Sequence, residues 1–190
     1  NNASAISLTP TANTPMKRYD LMNQVNARGT FLVSQTCLPY LKDASNPHIL
    51  NIAPPLDMSA KWFKNHVAYT MAKYGMSLCT LGMSAEFKSI GIAVNSLWPM
   101  TSIDTAAVRN VLGGDSMAKM SRIPQIMADA AYAVLTKEAR EFTGNFVIDE
   151  FILAETGVTD FSVYNHPGYD GPLAADFFVP DEWLSRSKSN

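Results

Sequence analysis

The 190 residues are 47% hydrophobic and 17% charged, with 10 Gly and 11 Pro, an ordinary globular composition that excludes collagen-like and wholly disordered chains. Fifteen Lys and Arg against seventeen Asp and Glu leave a net charge of -2, and no basic cluster is dense enough to make the footprint of a nucleic-acid partner. No apolar run approaches the roughly 18 residues of a membrane span, and no apolar leader pattern opens the chain, so it reads as soluble and intracellular.

The chain starts Asn1-Asn2-Ala3-Ser4 rather than with Met, which reads as a truncation at the N-terminus. Residues 18–42 place Leu21, Met22, Val25, Phe31, Leu32, Cys37, Leu38 and Leu41 at three- and four-residue spacing, predicting a long helix with one broad apolar face. After Ser45-Asn46-Pro47 the short β-rich run 48–53 is stopped by Pro54-Pro55, which a central strand could not contain, so it reads as a buried strand ending in a rigid loop. From Trp62 to Phe87 a proline-free stripe of small and flexible residues predicts a second long helix packed closely on a neighbour. Residues 92–98 predict another strand, ended by Pro99, and residues 104–122 a short helix, a Gly113-Gly114 break and a mobile lid. Pro124 opens a helix reaching about Lys137, and Thr143-Gly144 turns into a last strand over 145–149. Cys37 and Cys79 fall within helical patterns and read as small buried hydrophobes of a reducing compartment.

Alternating helices and near-continuous apolar strands call for an α/β fold, a parallel sheet covered on both faces. Residues 1–150 form this domain. Residues 151–190 read as an acidic, aromatic-containing extension packed on it as an irregular strap, since 149–190 carry eight acidic residues and two basic ones.

Tyr69 and Lys73 stand one turn apart on one face of the second helix. A phenol ionises near pH ~10, and a neighbouring ammonium favours its phenolate, which makes the pair a candidate general acid/base. Tyr-x-x-x-Lys alone is a weak signal, but this one follows the carboxyl end of a predicted parallel strand, where open α/β sheets bind ligands. Asn26 and Gly29 interrupt the first long helix at a cost in helical stability, which wants a reason. His48, His66 and His166 lie far apart without ligand spacing, so no metal site is expected.

Together these segments resemble the short-chain dehydrogenase/reductase family. Asn1-Asn2-Ala3-Ser4 is similar to its Asn-Asn-Ala-Gly segment, Val25-Asn26-x-x-Gly29 to the helix bearing its catalytic asparagine, and Tyr69-x-x-x-Lys73 to its catalytic pair. Residues 95–99 resemble its nicotinamide-lining segment, and Thr143-Gly144 with Asp149 its last-strand motif. The resemblance implies the C-terminal part of a doubly wound Rossmann-type parallel sheet in three layers. It also implies an NAD(P)-dependent oxidoreductase in which Tyr69 moves the substrate proton, Lys73 lowers its pKa and holds the nicotinamide ribose, and Asn26 fixes a relay water. Asn2 and Ala3 would lie along the adenosine side of NADP or NAD, and Pro99, Ile103 and Thr105 would edge the nicotinamide. The substrate would be small and apolar, given Leu56, Trp62, Trp98, Met100 and Val108 around the expected pocket. A homodimer or homotetramer built on the two long helices is implied as well, in cytoplasm, mitochondrion or peroxisome.

The chain departs from the family in four places. Pro54 and Pro55 stand where a carbonyl-binding serine is usual, with Ser59 nearby but off-register; Met100 replaces a glycine; and Glu150-Phe151 replace a glycine pair. The family's glycine-rich phosphate loop has no counterpart in these residues. That predicts weak dinucleotide binding and an unpaired edge on the first strand. The alternative reading is a non-catalytic relative that handles lipid or oligomerises.

Overall fold

The computed structural model describes residues 1–187. It divides into two compact units: Asn1–Leu97 with Lys137–Phe146, and Trp98–Thr136 with the chain from Val147 onward. Three strands form one sheet in the order β1 (His48–Ile52), β2 (Ala93–Trp98), β3 (Phe146–Ile148). β1 and β2 are parallel, in register from His48 against Ala93 to Ile52 against Leu97. Such a pairing needs a crossover, and α3 (Val67–Phe87) supplies it.

In the first unit the predicted helix over 18–42 is present but not uniform. α1 (Met16–Met22) runs into a π-helical segment, Asn23–Arg28, and out into α2 (Gly29–Lys42). Its apolar stripe is only partly buried: Met22 is 1% exposed and Leu38 and Leu41 pack half-buried against the core, but Leu21, Phe31 and Leu32 are 41–51% exposed, and Cys37 is exposed where a buried residue was expected. Cys79 is half-buried, and burial raises its thiol pKa. β1 ends at Ile52 because Ala53 is followed by two prolines that cannot donate to a ladder. α3 starts at Val67, five residues later than predicted, after a turn through Asn65 at φ 70. Its core face (Ala68, Ala72, Met76, Met83, Phe87) is buried. Met83 and Phe87 join Ile49, Ile92 and Val94 in one cluster, each such side chain contributing about 1.5–3 kcal/mol by leaving water. Gly91, at φ 77, takes the left-handed position that turns the chain from α3 into β2.

β1 is an edge strand of the sheet, as expected, and Asn1 caps part of its outer side: the Asn1 nitrogen donates to Leu50 O (2.8 Å) and Ile52 N–H donates to Asn1 O (3.0 Å), so Asn1 sits opposite Asn51 as a parallel-strand residue would. Side chains extend this contact through the sheet. Asn1 Nδ2 donates to Asn51 Oδ1 (2.7 Å) and Ser34 Oγ (3.1 Å), Asn51 Nδ2 to Thr80 Oγ1 (2.8 Å), and Thr80 pairs with Ser96 Oγ (2.7 Å). Asn51, Thr80 and Ser96 are fully buried, and their mutual satisfaction is what makes that burial tolerable.

The second unit holds the expected lid segment as a π-helical turn (Val108–Leu112) and α4 (Gly114–Lys119), followed by α5 (Gln125–Leu135). Two helices were not foreseen. α6 (Asp149–Glu155) begins where the last strand was expected to end, and α7 (Asp181–Ser187) replaces part of the irregular strap. Arg122 ties this unit together: it donates to Glu150 Oε1 through Nε (2.9 Å) and Nη2 (2.7 Å), and through Nη1 to Phe161 O (2.6 Å) and Asn165 Oδ1 (2.8 Å).

Candidate active site

α3 carries the Tyr69/Lys73 pair on its buried side, just after the chain leaves the carboxyl end of β1. Tyr69 is 7% and Lys73 3% exposed. Lys73 Nζ donates to the carbonyl of Ile52, the last residue of β1 (2.8 Å), and lies 3.5 Å from Met76 Sδ. A buried ammonium is expensive unless its protons are taken up, so its place at the strand end is fixed rather than incidental.

The loop between β1 and α3 is tied back onto the helix. Tyr74 OH donates to Asp57 O (2.6 Å), and Ser77 Oγ donates to Pro54 O (2.7 Å). The Asp57 carboxylate accepts from Trp62 Nε1 (2.7 Å) and from both the N–H and the hydroxyl of Ser59, whose hydroxyl bond holds the Asp57 carboxyl below its ordinary range. Ser59 is therefore exposed and engaged with Asp57, not placed as a stand-in for the missing serine. Pro54 and Pro55 are buried and offer no donor. Burial pushes the Tyr74 phenol up to about 12, so Tyr74 stays neutral at ordinary pH.

Asn26, inside the π-helical segment, is fully buried. Its Oδ1 accepts from Ala5 N–H (2.7 Å) and its Nδ2 donates to Ala5 O (3.0 Å), clamping one residue of the opening segment from both sides. Asn2 and Ala3, on that segment, are exposed. The π-helical segment lies directly on α3: a Cβ on Gly75 would come within 2.5 Å of Ala27 Cβ. Asn26, Tyr69 and Lys73, the candidates named from the sequence, all lie in the first unit. Sequence reasoning missed the Asn51, Thr80 and Ser96 network, although polar residues inside apolar strand runs were a visible signal.

Pro99, Ile103 and Thr105 belong to the second unit. Pro99 is buried, and Ile103 is 8% exposed and bridges to Arg122. Thr105 is exposed, with Oγ1 3.4 Å from the Val108 N–H it caps. Trp98 packs edge-on to Phe178 and donates its indole N–H to Phe177 O (2.6 Å), so its ring belongs to the core of that unit. An open groove of about 910 Å³ along Pro15, Lys17, Arg18, Asp20, Leu21 and Gln24 includes neither Tyr69 nor Lys73. Among the described residues there is no cluster of three or more His, Cys, Asp or Glu able to hold a metal ion, and no helix long and apolar enough to cross a membrane.

Residues 1–113 match the short chain dehydrogenase family. The chain is 58% identical over 182 residues to hydroxysteroid dehydrogenase-like protein 2 of Xenopus tropicalis and 56% identical over 182 residues to that of Homo sapiens. Each alignment covers 95% of this chain and 42% of the relative, so the chain spans about two fifths of their length. The crystal structure of a short chain dehydrogenase from Mycobacterium thermoresistibile superposes with a TM-score of 0.85 at 50% identity, over 95% of this chain and 63% of that one.

Proposed function

The chain belongs to the short-chain dehydrogenase family, and from that premise we propose that it serves an oxidoreductase interconverting a hydroxyl and a carbonyl group on an apolar, lipid-like substrate, with NADP or NAD as hydride carrier. The observation that carries this reading is the buried Tyr69/Lys73 pair at the carboxyl end of β1, with the Lys73 ammonium held on Ile52 O. A phenol and an ammonium suit a reacting oxygen and ribose hydroxyls, which supports the nicotinamide end of a dinucleotide, while the Asn26 carboxamide is taken up by Ala5. When bound, the dinucleotide takes or gives the hydride.

The protein's own residues handle the proton. In oxidation Tyr69 accepts the substrate hydroxyl proton as hydride departs, and in reduction it returns one to the carbonyl oxygen. Lys73 stabilises the phenolate and binds the ribose hydroxyls, while Asn26 fixes the relay water and, through Ala5, positions the segment carrying Asn2 and Ala3 along the adenosine side. Pro99, Ile103 and Thr105 edge the nicotinamide. Residues 1–150 act as the partial dinucleotide domain, and 151–190 as its extension. Without a serine donor at Pro54 or Pro55, carbonyl polarisation rests on Tyr69, and losing one such donor costs about 10²–10³ in rate. The enzyme is accordingly slow.

The subunit pairs with a second copy through α2 and α3. Phe31 and Tyr40 on α2 and Met71, Leu78 and Leu81 on α3 are 47–78% exposed, apolar surface that a homodimer or homotetramer would cover. The two prolines also favour a second reading, a non-catalytic lipid-handling or oligomerising relative.

The test is Tyr69→Phe. Turnover should vanish while NADPH or NADH affinity stays nearly intact; unchanged turnover refutes the role. If neither NADH nor NADPH changes tryptophan fluorescence on titration, the second reading stands instead.

A further inference from the structure

We propose that Asp149 is a positioning residue for the turn at residues 99–101, pinning it through the main-chain N–H of Met100; its bearing on catalysis rests on the nicotinamide reading above. Asp149 opens α6 and is fully buried. Its Oδ1 accepts from two main-chain donors, Met100 N–H (2.8 Å) and Glu150 N–H (2.7 Å). On the other side of the same residue, Met100 O accepts from Asp176 N–H (3.1 Å), so Met100 is gripped at both ends of its backbone. Met100 itself is 1% exposed and adjoins Pro99, the residue read as a nicotinamide edge. On the nicotinamide reading, small misplacements of this turn are costly in rate.

The pin is built from an ionisable group with half its capacity unused. Asp149 Oδ2 is buried with no hydrogen-bond partner among the described residues, as is Thr101 Oγ1 in the same turn. Burial drives the Asp149 pKa up to about 7, against the lowering effect of its bonds to Met100 and Glu150. Glu150, beside it on α6, adds to the rise, and Arg122, which carries Glu150, opposes it. On α5, which packs against α6, the Asp129 carboxylate receives Tyr164 OH (2.8 Å) and Gln125 Nε2 (2.6 Å), and Tyr132 is 71% exposed; Asp176 stands next to Met100. An ionised carboxylate accepts charge-assisted bonds from the two N–H groups, whereas the protonated acid offers a weaker neutral carbonyl oxygen and adds a buried O–H. The grip on the turn therefore tightens as pH rises through neutrality.

The experiment compares wild type, Asp149→Asn and Asp149→Ala by NADH and NADPH affinity across pH and by hydrogen exchange at the Met100 amide. Asparagine keeps the Oδ1 acceptor without titrating, so Asp149→Asn should bind and protect Met100 with no step near neutrality. Wild type should bind more weakly as pH falls from about 8 to about 6. Asp149→Ala should lose about tenfold in affinity throughout and expose the Met100 amide. A merely structural role would not produce a pH step that the asparagine variant lacks. The inference is overturned if Asp149→Ala binds like wild type, or if Asp149→Asn reproduces the wild-type pH profile. Wild type that binds neither dinucleotide at any pH, yet shows Asp149-dependent protection of Met100, overturns the nicotinamide reading instead.

Discussion

Gly75→Ala tests how the site is assembled. Gly75 faces Ala27 across the contact between α3 and the π-helical segment, and a Cβ placed there would lie 2.5 Å from Ala27 Cβ and 3.5 Å from its Cα. Two methyl carbons settle near 3.5–4 Å, so the two backbones must separate by about 1 Å, and neither belongs to a flexible side chain that could swing away. Overpacking of this kind costs about 1–3 kcal/mol, from which the better helix propensity of alanine recovers about 1 kcal/mol. Displacing the π-helical segment also strains both Asn26 bonds to Ala5. Denaturant midpoints should report a net loss of up to about 2 kcal/mol for Gly75→Ala and about 1 kcal/mol for Ala27→Gly. The double variant should return close to wild type, because the colliding methyl is gone and the two propensity changes cancel. Additive losses in the double variant, or a Gly75→Ala protein about 1 kcal/mol more stable than wild type, would refute the close approach.

Three further outcomes follow. Tyr74→Phe should cost about 1 kcal/mol of stability by orphaning Asp57 O and leave turnover intact, since a phenol held near 12 exchanges no proton at ordinary pH; lost turnover would contradict this. The folded state binds the Asp149 proton more tightly, at about 7 against an ordinary 3.8, so this stability contribution is complete below about pH 4 and lost as pH rises through 7. Relative to Asp149→Asn, wild type should lose about 4 kcal/mol over that window in thermal or denaturant unfolding, and parallel curves would contradict it. Arg122→Ala removes the guanidinium that faces the buried Glu150 carboxylate and should cost about 3–5 kcal/mol, whereas replacing both residues by apolar ones should cost far less; equal losses would argue against a buried ion pair.

The sequence exposed the features whose physics is local. Pro54-Pro55 and Pro99 end β1 and β2 because proline lacks the N–H a ladder needs, and the four-residue spacing of Tyr69 and Lys73 puts both on one helical face. What stayed hidden depends on partners distant in the chain. The π-helical segment exists around a carboxamide drawn to Ala5, twenty-one residues earlier, and no local pattern encodes that pull. Periodicity found the apolar stripe through Phe31 and Leu32 but could not tell a buried face from an exposed one, and Cys37 was misjudged with it. The last strand stops at Ile148 as Asp149 turns its carboxylate back onto Met100 and Glu150 N–H groups, opening α6 where an irregular extension was expected. Asn1 on the edge of β1 was equally beyond a reading by pattern, since that pairing is made by main-chain atoms.

The most direct test follows a label. A secondary alcohol of apolar character, deuterated at its carbinol carbon, is mixed with the protein and stoichiometric NADP or NAD, and the nicotinamide is examined for deuterium. The account predicts that wild type transfers the label and that Tyr69→Phe, with dinucleotide bound, does not. Wild type that binds the dinucleotide yet leaves deuterium on every alcohol of an apolar panel would contradict it.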